Sequence, residues 1–145
     1  MRNSRSDVVC VRALLHCHDH LALIERIAPN EMAPFYVFPG GHVEFEETRT
    51  DALKRECEEE LGFNVWVGSY FTSSHYTEPD GTQRVEYYYF VWLPYETVSL
   101  PAFQPRVEYH PVWKGTYTPR WIARPALSGL DLRPADVWRR LLHHL

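Results

Sequence analysis

Gly40-Gly41-His42-Val43-Glu44-Phe45-Glu46-Glu47, running on to Arg55-Glu56-Cys57-Glu58-Glu59-Glu60-Leu61-Gly62-Phe63, is the stretch on which the reading of this chain turns. A glycine pair ends a short strand, an acidic loop follows, and a helix then begins. Thr48 with Asp51 three residues on has the form of a capping box. Gly62 followed by apolar Phe63 has the form of a Schellman stop. Between them, residues 51–61 are mostly good helix formers, so the spacing predicts a helix there. At 100° per residue, Leu53, Cys57 and Leu61 make one apolar stripe that needs a core. Glu56, Glu59 and Glu60 fall on the flank beside it.

That flank is electrostatically costly. Like charges at i,i+4, as at Glu56 and Glu60, oppose the helix, more so when water is partly excluded. An ordinary solvated acidic face is one account of them. The other is a hard divalent cation, which takes oxygen ligands of this kind.

A resemblance to a known family favours the second account. Gly41, five residues, Glu47, seven residues, then Arg55-Glu56-Cys57-x-Glu59-Glu60-x-Gly62-Phe63 resembles the complete Nudix box, with the small thiol of Cys57 at a position that takes an apolar residue. The resemblance implies an α+β chain: an α/β/α sandwich built on a mixed β-sheet, with the motif helix on one face and a C-terminal helix on the other. It implies Glu56, Glu59 and Glu60, with the Gly40 carbonyl, as ligands of Mg²⁺, Mn²⁺ being the alternative ion. Gly41, Glu44, Glu47, Arg55 and Gly62 take structural parts in the motif, Arg55 by pairing with Glu47. The family often has Pro-Gly after the residue matching Glu44; Phe45 and Glu46 stand there instead.

Composition sets the bounds. A chain of 145 residues with 45% apolar content reads as one domain, 1–145, with a real core. Its net charge of −4 argues against a nucleic-acid or anionic-membrane partner. The expected partner is a small-molecule nucleotide, and a homodimer is compatible with the sequence. Cys10, Cys17 and Cys57 are odd in number and lack metal-type spacing, which suits reduced cytoplasmic thiols. The polar start, Met1 to Asp7, has no signal-peptide character, and no apolar run is long enough for a membrane span.

The flanks read as strands. Val8–Leu15 and Leu21–Ile27 form a hairpin across His16-Cys17-His18-Asp19-His20, a polar turn with no zinc-type spacing. Residues 64–78 and 83–93 form a second pair across Pro79-Asp80-Gly81. Val85 to Leu93 is apolar or aromatic on both alternating faces, as in a strand covered on both sides. Residues 94–120 read as a long proline-rich loop whose Tyr109, Trp113 and Tyr117 suggest an ordered lid or partner surface. Tyr117 to Ile122 resembles the family's last strand. Residues 134–145 read as a closing helix with Pro134 in its first turn and a stripe of Val137, Trp138, Leu141 and Leu142.

The implied reaction is metal-assisted hydrolysis of a phosphoanhydride in a nucleoside diphosphate derivative, a nucleoside triphosphate or ADP-ribose among them. Glu56 and Glu59 are candidate catalytic carboxylates, with Glu108 and then Glu96 as loop candidates for the general base. Arg26, at the end of its strand, resembles the family's substrate-phosphate residue; Arg106, Lys114 and Arg120 are also available to phosphates. Pro79 has a spacing from Phe63 that resembles ADP-ribose-cleaving members, though the turn alone explains it. The competing expectations are a nucleotide sensor without turnover and a pyrophosphohydrolase acting on RNA 5′-ends.

Overall fold

The structure, a computed structural model, describes residues 7–106 and 115–144. Glu108, Tyr109, Trp113 and Lys114, named above, lie outside the described residues.

The chain runs β1 (Val8–Cys17), β2 (His20–Ile27), β3 (Phe35–Val37), β4 (Gly40–His42), α1 (Arg49–Leu61), β5 (Trp66–Thr77), β6 (Gln83–Trp92), β7 (Thr116–Ala123), a 3-10 helix (Arg124–Gly129) and α2 (Ala135–Leu142). The sheet order is β3-β2-β1-β6-β5, with β4 paired to β1 and β7 to β2. β1 and β6 are parallel, whereas β1 pairs antiparallel with β2 and β4, so the sheet is mixed. This is the α+β architecture the sequence implied.

Side-chain alternation along the strands builds two cores, one per face. Val11, Ala13 and Leu15 of β1 with Tyr89 and Val91 of β6 pack with Leu53, Cys57 and Leu61 of α1. Leu14 and Tyr88 point the other way and pack with Phe38, Leu127, Val137, Trp138 and Leu141. Phe38 stacks on Trp138, their ring centroids 4.6 Å apart. Burial on both faces is what the aromatic run of β6 required.

The local signals have clear causes. Thr48 caps α1, its side chain accepting from the Asp51 N–H at 3.1 Å. Gly62 ends the helix at φ +81°. The β1–β2 turn places His18 and Asp19 at φ 48° and 60°, the paired positive values that a two-residue hairpin turn requires. His18 bonds through Nε2 to the Thr97 carbonyl oxygen at 2.6 Å and Asp19 pairs with Arg124 at 2.8 Å, so this polar cluster serves the turn and its neighbours.

Some boundaries differ from expectation. α1 begins two residues earlier, at Arg49, because the Thr48 cap precedes the apolar pattern. The irregular region ends at Gly115, since Thr116 already pairs with Ile27; β7 accommodates Pro119 at an edge of the sheet. Pro134 is the N-cap of α2 rather than a first-turn residue, with ψ 145°. Leu142 is about half exposed and lies outside the buried stripe, because α2 ends there. Among the described residues, no helix is long and apolar enough to cross a membrane.

A Cβ on Gly62 would collide with the Gln104 carbonyl oxygen, and its φ disfavours any other residue. Gly62→Ala should lower stability by about 1–3 kcal/mol in urea denaturation; an unchanged midpoint would contradict this account of the helix end.

Candidate functional site

β4 is short because its two glycines serve a junction. Gly40 lies against β1 so closely that a Cβ would overlap the Val11 carbonyl oxygen. A Cβ on Gly41 would come 2.5 Å from Glu56 Oε1. At Gly40, whose φ is +151°, only glycine fits this close approach to β1; at Gly41 the Glu56 side chain would have to shift. The Gly40 N–H donates to Glu60 Oε1 at 2.7 Å.

Arg55 is the centre of the charged cluster. Its Nε and Nη2 donate to the two carboxylate oxygens of Glu47 at 2.8 and 3.0 Å, a bidentate pair. Nη2 also donates to the His42 carbonyl oxygen at 2.9 Å. Nη1 reaches Glu56 Oε1 at 3.0 Å and both Glu59 oxygens at 3.4 Å. Glu44 is more distant, 3.9 Å from Nη1, and its N–H donates to Glu47. One guanidinium thus joins the loop, the strand end and the helix.

The carboxylates respond differently. The Arg55 hydrogen bonds, helped by the Glu44 N–H, hold Glu47 down at about 2. Burial pushes Glu56 up despite Arg55. Burial also pushes Glu60 up to about 7; the Gly40 N–H and Arg12 oppose the rise, and Glu56 and Glu59 add to it.

The three glutamates and the Gly40 carbonyl make one donor set. It is all oxygen, since Cys57 is fully buried in the core, and its half-buried Glu60 lies among like charges with no salt bridge among the described residues. Both features fit a hard divalent ion. Among the described residues, however, no three acidic, histidine or cysteine side chains already form a metal-holding group. Glu56 and Glu59 are turned onto Arg55 and Glu60 onto Gly40, so a bound ion would have to draw them off those partners.

A cleft of about 400 Å³ opens beside Gly40, Gly41 and Glu60. Arg12, Arg26, Arg84 and Arg133 line it, with His42, Tyr76, Glu86, Tyr88 and Tyr117. Arg12 donates from Nη1 to the Phe38 carbonyl oxygen at 3.2 Å and from Nη2 to Glu86 at 3.0 Å. Tyr88 donates its hydroxyl to the other Glu86 oxygen at 2.9 Å. Arg84 is held by Glu78 at 2.7 Å. Arg26 sits 4.0 Å from the Tyr117 ring centroid.

The residues singled out in the sequence therefore divide. Arg26, Gly40, Gly41 and Glu60 line the cleft, and Glu56 and Glu59 stand beside it on α1. Arg106 is exposed, 3.8 Å from Glu58, and Arg120 pairs with Glu25 at 3.3 Å; neither lines the cleft. Pro79 forms the β5–β6 turn, away from the cleft lining. Glu96 lines a separate depression with His16, Cys17 and His18.

Sequence reasoning missed Arg12, Arg84, Glu86 and Arg133. A signal existed for three of them: Arg12 interrupts an apolar strand, and Arg84 and Glu86 interrupt or flank an aromatic one. Arg133 carried none.

The NUDIX domain profile matches residues 4–124. The CTP pyrophosphohydrolase of Escherichia coli (strain K12) is 38% identical over 71 residues, which cover 49% of this chain and 52% of that protein. The 8-oxo-dGTP diphosphatase of Proteus vulgaris is 40% identical over 48 residues, 33% of this chain and 43% of that one. The chain spans about half the length of the curated relatives it matches. Among solved structures, the E. coli ORF135 protein superposes with a TM-score of 0.65 at 26% identity, covering 92% of this chain and 86% of that one. A NUDIX hydrolase from Nitrosomonas europaea shares the fold, with a TM-score of 0.71 at 21% identity over 96% of this chain and 88% of that one.

The Glu47–Arg55 pair yields a pH prediction. Its folded-state value lies below the ordinary carboxylate value, so it stabilises the fold fully above about pH 4.5, and this is lost as pH falls toward 2. Glu47→Gln should flatten the loss of stability across that acid window in denaturant titrations. An acid limb as steep as that of the wild type would contradict the pairing.

Proposed function

The chain belongs to the NUDIX domain family, and from that membership we propose that it hydrolyses a phosphoanhydride bond of a nucleoside diphosphate derivative, a nucleoside triphosphate foremost. The observation that carries this reading is one juxtaposition: the acidic corner at Gly40, Gly41 and Glu60 opens directly into a cleft lined by four arginines. A polyphosphate suits the arginines, and a divalent ion carried with it suits the glutamates. The names of the two curated relatives, each acting on a nucleoside triphosphate, support the substrate class.

Glu56, Glu59 and Glu60, with the Gly40 carbonyl, would hold Mg²⁺, Mn²⁺ serving in its place. Such an ion neutralises charge developing on the phosphoryl oxygens and acidifies a water molecule. The chain's own residues supply the rest. Arg12, anchored by Glu86 and the Phe38 carbonyl, presents fixed positive charge to the phosphates without having to reorganise. Arg84 does the same from the Glu78 side, and Arg26 from β2. Glu56 or Glu59 takes the proton from the attacking water as the P–O bond to the leaving phosphate group breaks. Arg55 keeps α1 and the glycine strand in register while this happens. The three cysteines, none of them in a disulfide, are compatible with a reducing cytoplasmic setting for this activity.

The test is product release from a panel of nucleoside triphosphates, oxidised dGTP, ADP-ribose and capped RNA, with and without Mg²⁺. Wild-type protein should cleave a triphosphate only with the ion. Glu59→Gln should lower kcat by about a hundredfold or more with an unchanged far-UV spectrum. Binding of panel members without turnover by the wild type would favour a sensor, release from RNA ends alone would favour the RNA reading, and full activity of Glu59→Gln would overturn the site assignment.

A further inference from the structure

Beyond β7, past the end of the profile match at residue 124, the chain returns to the cleft. Leu132 forms a parallel bridge with Tyr36: the Tyr36 N–H donates to the Asp131 carbonyl oxygen at 2.8 Å, and the Arg133 N–H to the Tyr36 carbonyl oxygen at 3.0 Å. This short addition to β3 delivers Arg133 and Pro134 into the cleft wall.

Two contacts fix the Arg133 guanidinium. Asp131 accepts from its Nε and Nη2 at 3.1 and 3.0 Å, and its Cζ lies over the Phe35 ring, 4.1 Å from the centroid. Phe35 in turn faces Arg26 across β3 and β2, and Arg26 faces Tyr117 across β2 and β7. The result is a ladder of Tyr117, Arg26, Phe35 and Arg133, with rings and guanidinium groups alternating. Side-on pairing with Asp131 leaves the end-on Nη1–Nη2 edge as the fork that Arg133 can offer a ligand.

The cleft lining is of two kinds. Gly40, Gly41, His42, Glu60, Arg12 and Arg84 neighbour one another and carry charge and backbone polar groups. Ile24, Val37, Tyr117 and Pro134 add apolar surface, Ile24 and Val37 being direct partners across β2 and β3. With phosphates against the charged lining, a flat ring belongs against the apolar lining.

We propose that Arg133, held by Asp131 and Phe35, reads the nucleobase and selects bases that present two adjacent hydrogen-bond acceptors. This rests on the nucleotide reading given above. A guanidinium fork only donates. It matches guanine O6 and N7, and by the same chemistry cytosine O2 and N3. Uracil sets an N–H between its two carbonyls, and adenine sets an amino group beside N7, so each leaves part of the fork unmatched. An oxidised guanine bearing hydrogen on N7 loses the match on that edge.

The experiment is calorimetric binding of CMP, GMP, UMP and AMP to the full chain, which needs no turnover. Wild-type protein should bind CMP and GMP roughly tenfold or more tighter than UMP and AMP. Arg133→Ala should level the four affinities, and Asp131→Asn, which keeps the arginine but loosens it, should narrow the gap. No preference in the wild type, no measurable binding of any of the four, or a preference that survives Arg133→Ala would overturn the proposal. So would an equal loss for all four and for inorganic phosphate, which would make Arg133 a phosphate contact. If the base preference holds and triphosphates are not cleaved, the hydrolase reading alone fails.

Discussion

Three glutamates on one turn of a helix, pressed against a strand end, require positive charge nearby, and in this fold Arg55 supplies it. Its bidentate bond to Glu47 fixes the acidic loop, its bond to the His42 carbonyl fixes the glycine strand, and its Nη1 reaches Glu56 and Glu59. The guanidinium is shared among Glu47, Glu56 and Glu59. Glu47 is held as a firm anion, whereas half-buried Glu60, outside these bonds, has its proton affinity raised by desolvation. Burial is the main cause of that rise, which Arg12 and the Gly40 N–H oppose and the neighbouring Glu56 and Glu59 increase; a divalent ion is proposed to relieve it.

The sheet places that corner opposite an arginine-lined wall. β1 is the common element: its odd-numbered residues Val11, Ala13 and Leu15 pack under α1, and its Arg12 points to the other face and into the cleft. A partly buried Arg12–Glu86 pair contributes little to net stability, because both groups lose water on burial. Its value lies in orientation. With Glu86 also receiving the Tyr88 hydroxyl, the guanidinium is fixed beside the strand end that bears Gly40. Breaking the pair from either side would leave a charge stranded in the second core, so the network is costly to alter.

The sequence was legible where local physics and spacing agreed. Thr48 and Gly62 marked the ends of α1 through capping chemistry, Leu53, Cys57 and Leu61 marked its buried face, and the aromatic run of β6 marked a strand covered twice. The acidic flank was visible because like charges at helical spacing are costly. The arginine wall was less visible, because it is assembled from separate strands whose pairing no local pattern reveals: Arg12 on β1, Arg26 on β2, Arg84 on β6. Arg133 was hidden altogether, since the bridge to Tyr36 that carries it depends on backbone groups rather than side-chain pattern. Exposed Leu142 and the capping position of Pro134 show the opposite failure, a periodic pattern carried past the point where the helix frame applies.

We propose the acidic corner at Gly40, Glu56, Glu59 and Glu60 as a divalent-cation site. The most direct measurement is Mn²⁺ binding to the nucleotide-free protein by electron paramagnetic resonance, comparing the wild type with the combined Glu56→Gln, Glu59→Gln and Glu60→Gln variant. Saturable binding by the wild type that disappears in the folded variant is the predicted result. Equal binding by both would place the ion elsewhere and contradict the account.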